Sequence, residues 1–443
     1  MARSTTGNRK RDIDKKWNDI FNDYNVLELV ESEGLFRITA SQIREYKEAR
    51  LMTKFDYHSS LPDLFIENNL SILPTRRGEY VIGNFEAYEK ISNNNSDFRN
   101  NRQEQRFPAW IETLDYSNIT SESTMLNASA ISGMIHDMFN VENVFQTISG
   151  RMGSDIFDFK INDTLNPQKQ YNLNVTNSQI EVDAGFETEN SLILVEAKNN
   201  TTSSFLIRQL YYPYRLWSSK VNKPIIPVFL QYSNGVYNFS EYRFNDVNNY
   251  NSLELVRRKN YLISSEEELT TSEIITLIQN TEVVDEPNTN LVPFPQADDL
   301  NKIIDLMNTL YTSESGVLSL EEITLTNDFT MRQAHYYSRA ALYLGLVKIS
   351  GFNVHLSLNG ERMMHFSKRD RDISLIKSIF KHEPFKLAMM YRLRARKNVS
   401  AKEIAQVLMN HNLLRDYSPV TIERRCQTIN SWIRTVLAMT TEY

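Results

Sequence analysis

The chain of 443 residues contains a single cysteine, Cys426. One cysteine excludes an internal disulfide and any zinc site built on thiolates. A reducing, cytoplasmic compartment is therefore the expectation. No stretch approaches the ~18 consecutive apolar residues of a membrane span, so no membrane partner is expected. The N-terminus, MARSTTGNRKRDIDKK, is basic but has no apolar stretch of the secretory kind. No GxxxxGK[ST] phosphate loop occurs, which argues against an ATP-driven activity. The formal charge of −6 at first argues against a polyanionic partner.

That total conceals opposed segments. Residues 360–443 carry sixteen Lys/Arg against eight Asp/Glu, a balance of +8. Residues 251–300 carry ten acids against three bases, a balance of −7. The acidic block ends in VVDEPNTNLVPFPQADD, with three prolines and no clear period, and reads as a connection. A basic C-terminal module behind an acidic hinge is the implied arrangement.

Periodicity divides the chain further and predicts an α/β protein. Residues 1–115 read as helices followed by a hairpin. DIDKKWNDIFNDYNVLELVESEG places Trp17, Ile20, Phe21 and Tyr24 on one helical stripe. Thr39 suits a helix cap, and SILPTRRGEYVIGNF a hairpin whose turn carries Arg76 and Arg77. Residues 116–250 alternate. TMLNASAISGMIHDMFN predicts a helix with Met125, Ile131, Ile135 and Phe139 inward. SDIFDFKI, QIEVDAGF and SLILVEAKN predict strands, SSFLIRQLYYPYRLWSS a helix, and KPIIPVFLQYS and VYNFSEYRF two more strands. This α-β-β-β-α-β-β order implies a mixed sheet flanked by helices. Residues 251–300 form the acidic connection. Residues 301–366 read as three helices and a β wing, and 367–443 as basic helices ending in SPVTIERRCQTINSWIRTVLAM, with Ser418 as cap.

The chemistry concentrates in the middle. Asp183 lies thirteen residues before Glu196, and Lys198 follows two residues later. Positions i and i+2 of a strand face the same side, so Glu196 and Lys198 project together. The short DAGFETENS connection returns the chain beside Asp183 as a hairpin. Two carboxylates and an ammonium then meet at one sheet edge. Such a group fits phosphodiester hydrolysis. The carboxylates suit Mg²⁺, a hard cation that prefers oxygen, with the Ala197 carbonyl as a further oxygen ligand. The lysine suits orienting or deprotonating water and stabilising the phosphate in the transition state.

Asp183 followed by Glu196-Ala197-Lys198 on a β-rich run resembles the PD-(D/E)xK nuclease motif. That family includes most type II restriction endonucleases, several DNA-repair nucleases and junction resolvases. The resemblance covers roughly residues 120–245. Val182 stands where the family name has proline. Gln209, in FLIRQLYYPYR, resembles the helical Gln or Arg that some relatives place beside the site. Many relatives also carry a Glu on the first helix as an extra metal ligand. Here His136 and Asp137 lie on that helix, with Glu122 and Glu142 at its margins, and none matches the position cleanly. The resemblance implies Asp183, Glu196, Lys198 and Gln209 as catalytic residues, and Asp183, Glu196 and Ala197 as Mg²⁺ ligands.

The flanks suggest the partner. Winged helices lay a helix in the major groove while the wing touches the backbone. Arg332, Gln333, Tyr336 and Arg339 are candidate contacts in one module. Arg424, Arg425, Gln427, Thr428 and Asn430 are candidates in the last helix, and Arg76 and Arg77 suit a wing. The whole then reads as a central PD-(D/E)xK core between winged-helix and helical DNA-binding modules. The leading expectation is a bacterial type II restriction endonuclease acting in defence against foreign DNA. It would hydrolyse double-stranded DNA with Mg²⁺, leave 5′-phosphates, and act as a homodimer because two strands are cut. Without a methyltransferase signature, a separate methyltransferase would protect the host. The alternatives are another PD-(D/E)xK nuclease (modification-dependent, junction-resolving or transposon-end-cleaving) and a non-catalytic winged-helix regulator.

Overall fold

Two sheets organise the centre of the chain, and helices close both ends. The computed structural model describes residues 12–91, 102–264, 269–285, 292, 294–413 and 417–440. Among the described residues the architecture is mixed α/β, with seventeen α-helices and several sheets. No helix among them is long and apolar enough to cross a membrane.

The N-terminal stretch expected as one helix is two, α1 (Asp12–Asp23) and α2 (Val26–Glu33). Asn25 between them has φ 52, a left-handed conformation that Asn enters more readily than most residues. Trp17, Ile20 and Phe21 are buried, with Tyr24 packed against the same cluster. Then come β1 (Leu35–Thr39), α3 (Ala40–Arg44), α4 (Ala49–Thr53), a 3-10 turn at His58–Ser60 and α5 (Asp63–Glu67). Thr39 caps α3 as expected, in a reciprocal capping box with Gln42. The anticipated hairpin is β2 (Ser71–Arg76) and β3 (Glu79–Gly83). Arg76 and Arg77 stand exposed at its turn, and Gly78 supplies the positive φ of 78. The short strands β4 (Tyr88–Lys90) and β5 (Arg102–Gln105) follow.

The central helix is broken into α6 (Glu122–Ile131) and α7 (Met134–Phe139) by Gly133 at φ 80. The break turns the apolar stripe. Met125 and Ile135 are buried, but Ile131, expected inward, is 37% exposed and Phe139 only half-buried. The strands are β6 (Phe145–Gly153), β7 (Ile156–Asn162), β8 (Gln170–Thr176), β9 (Gln179–Glu187), β10 (Leu192–Lys198) and β11 (Ser204–Leu206). Helix α8 (Arg208–Ser218) precedes β12 (Ile225–Ser233), β13 (Val236–Phe244) and β14 (Leu253–Ile263). The seven-stranded sheet has the order β5-β14-β13-β12-β10-β9-β6. Strands β10 and β12 are parallel, joined across α8, whereas β10/β9, β9/β6 and β12/β13 are antiparallel. Two sequence expectations are corrected here. SDIFDFKI is β7, and it belongs to a second sheet, β1-β3-β2-β8-β7, built with the N-terminal hairpin. Its place at the edge of the main sheet is taken by β6. The acidic connection expected at 251–300 begins with β14, a strand of the main sheet, and includes a helix, α9 (Thr271–Asn280).

Alternate strand residues feed opposite faces. Ile193, Val195 and Ala197 pack with α6 and α7. Phe229 and Tyr242 pack with Tyr211 and Tyr212 of α8 and with β7 and β8.

The C-terminal part contains α10 (Leu300–Thr312), β15 (Val317–Ser319), α11 (Leu320–Thr326) and α12 (Met331–Tyr343). The strands β16 (Val347–Ser350) and β17 (Asn353–Leu356) complete a three-stranded sheet with β15. Five helices follow: α13 (Leu358–Met364), α14 (Lys368–Phe380), α15 (Glu383–Ala395), α16 (Ala401–Asn410) and α17 (Pro419–Leu437). Ser418 caps α17 by accepting from the Thr421 amide. One hydrophobic cluster runs from Leu269 to Leu437, so the segments 301–366 and 367–443 share a core. Trp432 anchors it, fully buried, with its indole N–H donating to the Ala297 carbonyl at 2.7 Å.

Candidate active site

The β9/β10 hairpin brings the predicted trio together. Its turn is held by Thr188, whose hydroxyl accepts the Asn190 and Ser191 amides. The register runs from Leu192↔Glu187 to Val195↔Ala184 and stops there. One step beyond, the strands give way to side chains: Asp183 Oδ2 accepts the Ala197 amide at 2.8 Å. Every residue of β10 is buried, so Glu196 and Lys198 enter the interior at 7% and 8% exposure. Lys198 Nζ lies 2.5 Å from Glu196 Oε1. Gln209, in the first turn of α8, donates to the same oxygen at 2.5 Å. All four residues expected to be catalytic therefore form one connected group.

A fifth member was only marginal in the sequence. Glu122 Oε1 is 3.9 Å from Lys198 Nζ. The apolar period starts at Met125, but Ser121 caps α6 by accepting the Thr124 amide, so the helix begins at Glu122. The Ser-x-x-Thr cap was the available signal. Asp56 and Tyr57, from the N-terminal part, also act electrostatically on Lys198. No local motif pointed to them.

Burial sets the electrostatics. Removal from water raises the carboxyl pKa of Glu196 to about 8, with the Lys198 charge opposing the rise and Asp183 reinforcing it. Burial likewise pushes Asp183 and Glu122 upward. For Lys198, burial alone favours the neutral amine, but Glu196 and Glu122 outweigh it and hold the ammonium well above its ordinary range. Three carboxyls, of which that of Glu196 is buried and those of Asp183 and Glu122 partly so, thus share one cation. Their oxygens, with the Ala197 carbonyl, are the donors that Mg²⁺ prefers, and the buried Gln209 Oε1 has no hydrogen-bond partner. The donor chemistry fits a divalent cation. In the present arrangement the ammonium occupies the space beside Glu196, and no group of three or more His, Cys, Asp or Glu among the described residues is disposed to hold a metal.

Three family models match the chain, each described as a domain of unknown function: DUF6996 over residues 14–82, DUF6997 over 83–262 and DUF7226 over 302–441. No curated protein and no solved structure matches. The hairpin, α6 and α8 all lie within the DUF6997 segment.

The loop after Lys198 is wired to both other segments. Asp305 of α10 accepts from the Thr201 amide and hydroxyl at 3.2 and 3.1 Å and from the Ser233 hydroxyl at 2.7 Å. Asp328 accepts from the Ser203 amide and hydroxyl at 2.5 and 2.8 Å, and from the Ser59 hydroxyl. The His58 amide donates to Ser204 Oγ at 3.0 Å. Sequence reading assigned none of these residues.

The remaining candidates divide. Arg76, Arg77, Arg332, Arg339, Arg424 and Gln427 are exposed. Gln333 is committed to capping α12, where it accepts the Thr330 amide at 2.9 Å. Tyr336 accepts from Arg332 at 3.2 Å. Three candidates of the last helix face the core instead. Arg425 and Thr428 are buried, Thr428 donating to Asp298 at 2.6 Å. Asn430 donates to the Val399 carbonyl at 2.9 Å. The helix rotation set by Cys426, Ile429 and Trp432 turns them inward. Outside the site, Asp155 pairs with Lys220 and Glu187 with Lys223 as structural charges.

Proposed function

We propose that the chain hydrolyses phosphodiester bonds in double-stranded DNA with Mg²⁺, as a type II restriction endonuclease of the PD-(D/E)xK kind. The observation that carries this reading is the meeting of Asp183, Glu196 and Lys198 at the open end of the hairpin. Glu122 from the preceding helix and Gln209 from the crossover helix complete the group. The main sheet and its helices support it as well, once β7, β8 and β11 of other sheets are set aside: helix, two antiparallel strands, a buried ExK strand, a helix, then a parallel strand.

Asp183, Glu196 and the Ala197 carbonyl would hold the metal, with Glu122 beside them. The metal would lower the pKa of a bound water and neutralise charge on the phosphate. Asp183 is positioned by the Ala197 amide, and Gln209 fixes the Glu196 carboxylate. Lys198 leaves its contact with Glu196 to orient the attacking water and to stabilise the phosphate oxygens as their charge grows. Removal of water from this interior strengthens each of these interactions.

The helix–strand–helix–helix–strand–strand order of residues 300–356 supports a winged-helix reading. Exposed Arg332 and Arg339 on α12, Arg424 and Gln427 on α17, and the Arg76/Arg77 turn are the contacts retained for duplex DNA. Homodimeric action, a separate protecting methyltransferase and a bacterial cytoplasmic setting belong to the same proposal. The test is digestion of phage and plasmid DNA with the purified chain, with Mg²⁺ and with EDTA. Discrete fragments bearing 5′-phosphates are expected only with the metal. Retardation of the DNA without cutting, under any divalent ion, would assign the chain instead to non-catalytic regulators.

A further inference from the structure

A cavity of about 1300 Å³ lies where the main sheet meets the C-terminal helices. Its wall includes Thr201 and Gln231 at one end. Gln231 is the direct strand neighbour of Lys198, so the cavity adjoins the candidate active site. Its far wall is contributed by α14, α15 and α17.

The lining is cationic. Seven Lys/Arg side chains face three carboxylates, Glu104, Asp299 and Asp372. Lys368 is neutralised by Asp372 and Arg369 by Glu273. Arg106, Lys302 and Arg434 line the wall without an ion pair to any described residue. Arg106 and Arg434 are exposed. These charges come from segments more than 300 residues apart, and packing alone does not require them to converge. Two aromatic rings share the wall: Phe107 and Tyr116, half-buried, with centroids 4.8 Å apart.

Size narrows the ligand. Small-molecule sites run to about 300–1,000 Å³, so this cavity exceeds most of them. A volume of about 1300 Å³ is on the scale of a few nucleotides rather than a length of duplex. Lys302 also sits over the Phe329 ring, at 5.4 Å. Cations free of carboxylates along a groove, with rings on which bases stack, are the two elements of single-strand recognition.

We infer that this cavity binds a short single-stranded nucleic-acid segment, with phosphates on Arg106, Lys302 and Arg434 and bases against Phe107 and Tyr116. The inference goes beyond the hydrolytic reading and does not depend on it, because binding is measured without metal.

The full chain is titrated in EDTA against fluorescent eight-residue oligothymidine and oligouridine, and against a duplex of equal length. Arg106→Glu and Arg434→Glu are each expected to weaken single-strand binding about 10-fold. Each should also reduce the slope of log affinity against log salt by about 0.7 per lost contact. Phe107→Ala is expected to lose about 5- to 100-fold with an unchanged slope. Both arginines are exposed, and thermal melting checks each fold; Arg106→Gln and Arg434→Gln replace any reversal that melts early. A preference for one sugar identifies the strand as DNA or RNA, and either supports the inference. Unchanged affinity and slope in the folded charge variants would overturn it. So would equal weakening of duplex binding, or displacement of the oligonucleotide by tripolyphosphate at equal charge. Failure of DNA cleavage in a chain that still binds the oligonucleotide would reject the hydrolytic reading alone.

Discussion

The acid–lysine group and the cationic cavity lie side by side but are assembled in opposite ways. Asp183, Glu196 and Lys198 come from one hairpin, and strand pairing alone brings them together. The cavity draws Arg106 and Arg434 from segments more than 300 residues apart, and only the docking of the C-terminal helices on the sheet creates it. The first is buried and crowded with carboxyls. The second is open and cationic. Chemistry on a phosphate needs a dehydrated, preorganised centre, whereas tracking a flexible backbone needs accessible positive charge. The joint between them is the loop 199–203, gripped by Asp305 and Asp328.

Four substitutions would break or sharpen this contrast. The largest effect is expected for Lys198→Ala, which should lower DNA cleavage by about 10³-fold while duplex binding in Ca²⁺ stays within a few-fold. Undiminished cutting by that variant would place the active site elsewhere. Asp328→Ala comes next. It removes a buried carboxylate that accepts three hydrogen bonds, and bonds to a charged group are worth about 1.5–3 kcal/mol each. A loss of about 3 kcal/mol in urea unfolding is expected, together with reduced cleavage as the loop after Lys198 loosens. A stable variant with full activity would show that the joint is dispensable. Glu122→Gln should reduce cleavage about 10- to 100-fold, in the range for residues that support metal sites, with oligonucleotide binding in EDTA unaltered. Parallel loss of both would merge the two regions into one site.

The smallest effect concerns pH. Burial raises the Asp305 carboxyl to about 7, opposed by the Ser233 and Thr201 hydrogen bonds. Its folded pKa lies above the ordinary value of 3.8. The folded state therefore holds this proton more tightly than the unfolded chain. The corresponding stability is fully present below about pH 4 and is lost as pH rises through 7. Asp305→Asn keeps an acceptor for Thr201 and abolishes the titration. It should flatten the stability profile between pH 4 and 7, read by thermal melting. An unchanged profile would mean that Asp305 is already ionised in the fold.

Legibility followed the range of the interactions. The acid–lysine hairpin was readable because period-two alternation puts Glu196 and Lys198 on one face, and a short turn returns Asp183 beside them. Caps were readable for the same reason: Thr39 and Ser418 act on amides a few residues away. Helix faces were less secure. Arg425, Thr428 and Asn430 carry suitable chemistry, but the apolar line of Cys426, Ile429 and Trp432 sets the rotation that turns them inward. Ile131 was misjudged because the left-handed Gly133 resets the helix direction.

Composition and local spacing by themselves determined that this is an α/β chain without disulfides, with an acid–acid–lysine group on a buried hairpin and a basic C-terminal segment. Each of those rests on contacts within about a dozen residues, where backbone geometry leaves few choices. Tertiary structure alone decided that β7 joins the N-terminal sheet, that Glu122 reaches Lys198, that Asp305 and Asp328 clamp the following loop, and that distant arginines line one cavity. Those depend on how whole faces pack, and burial across the entire molecule, rather than any local period, selects the partners.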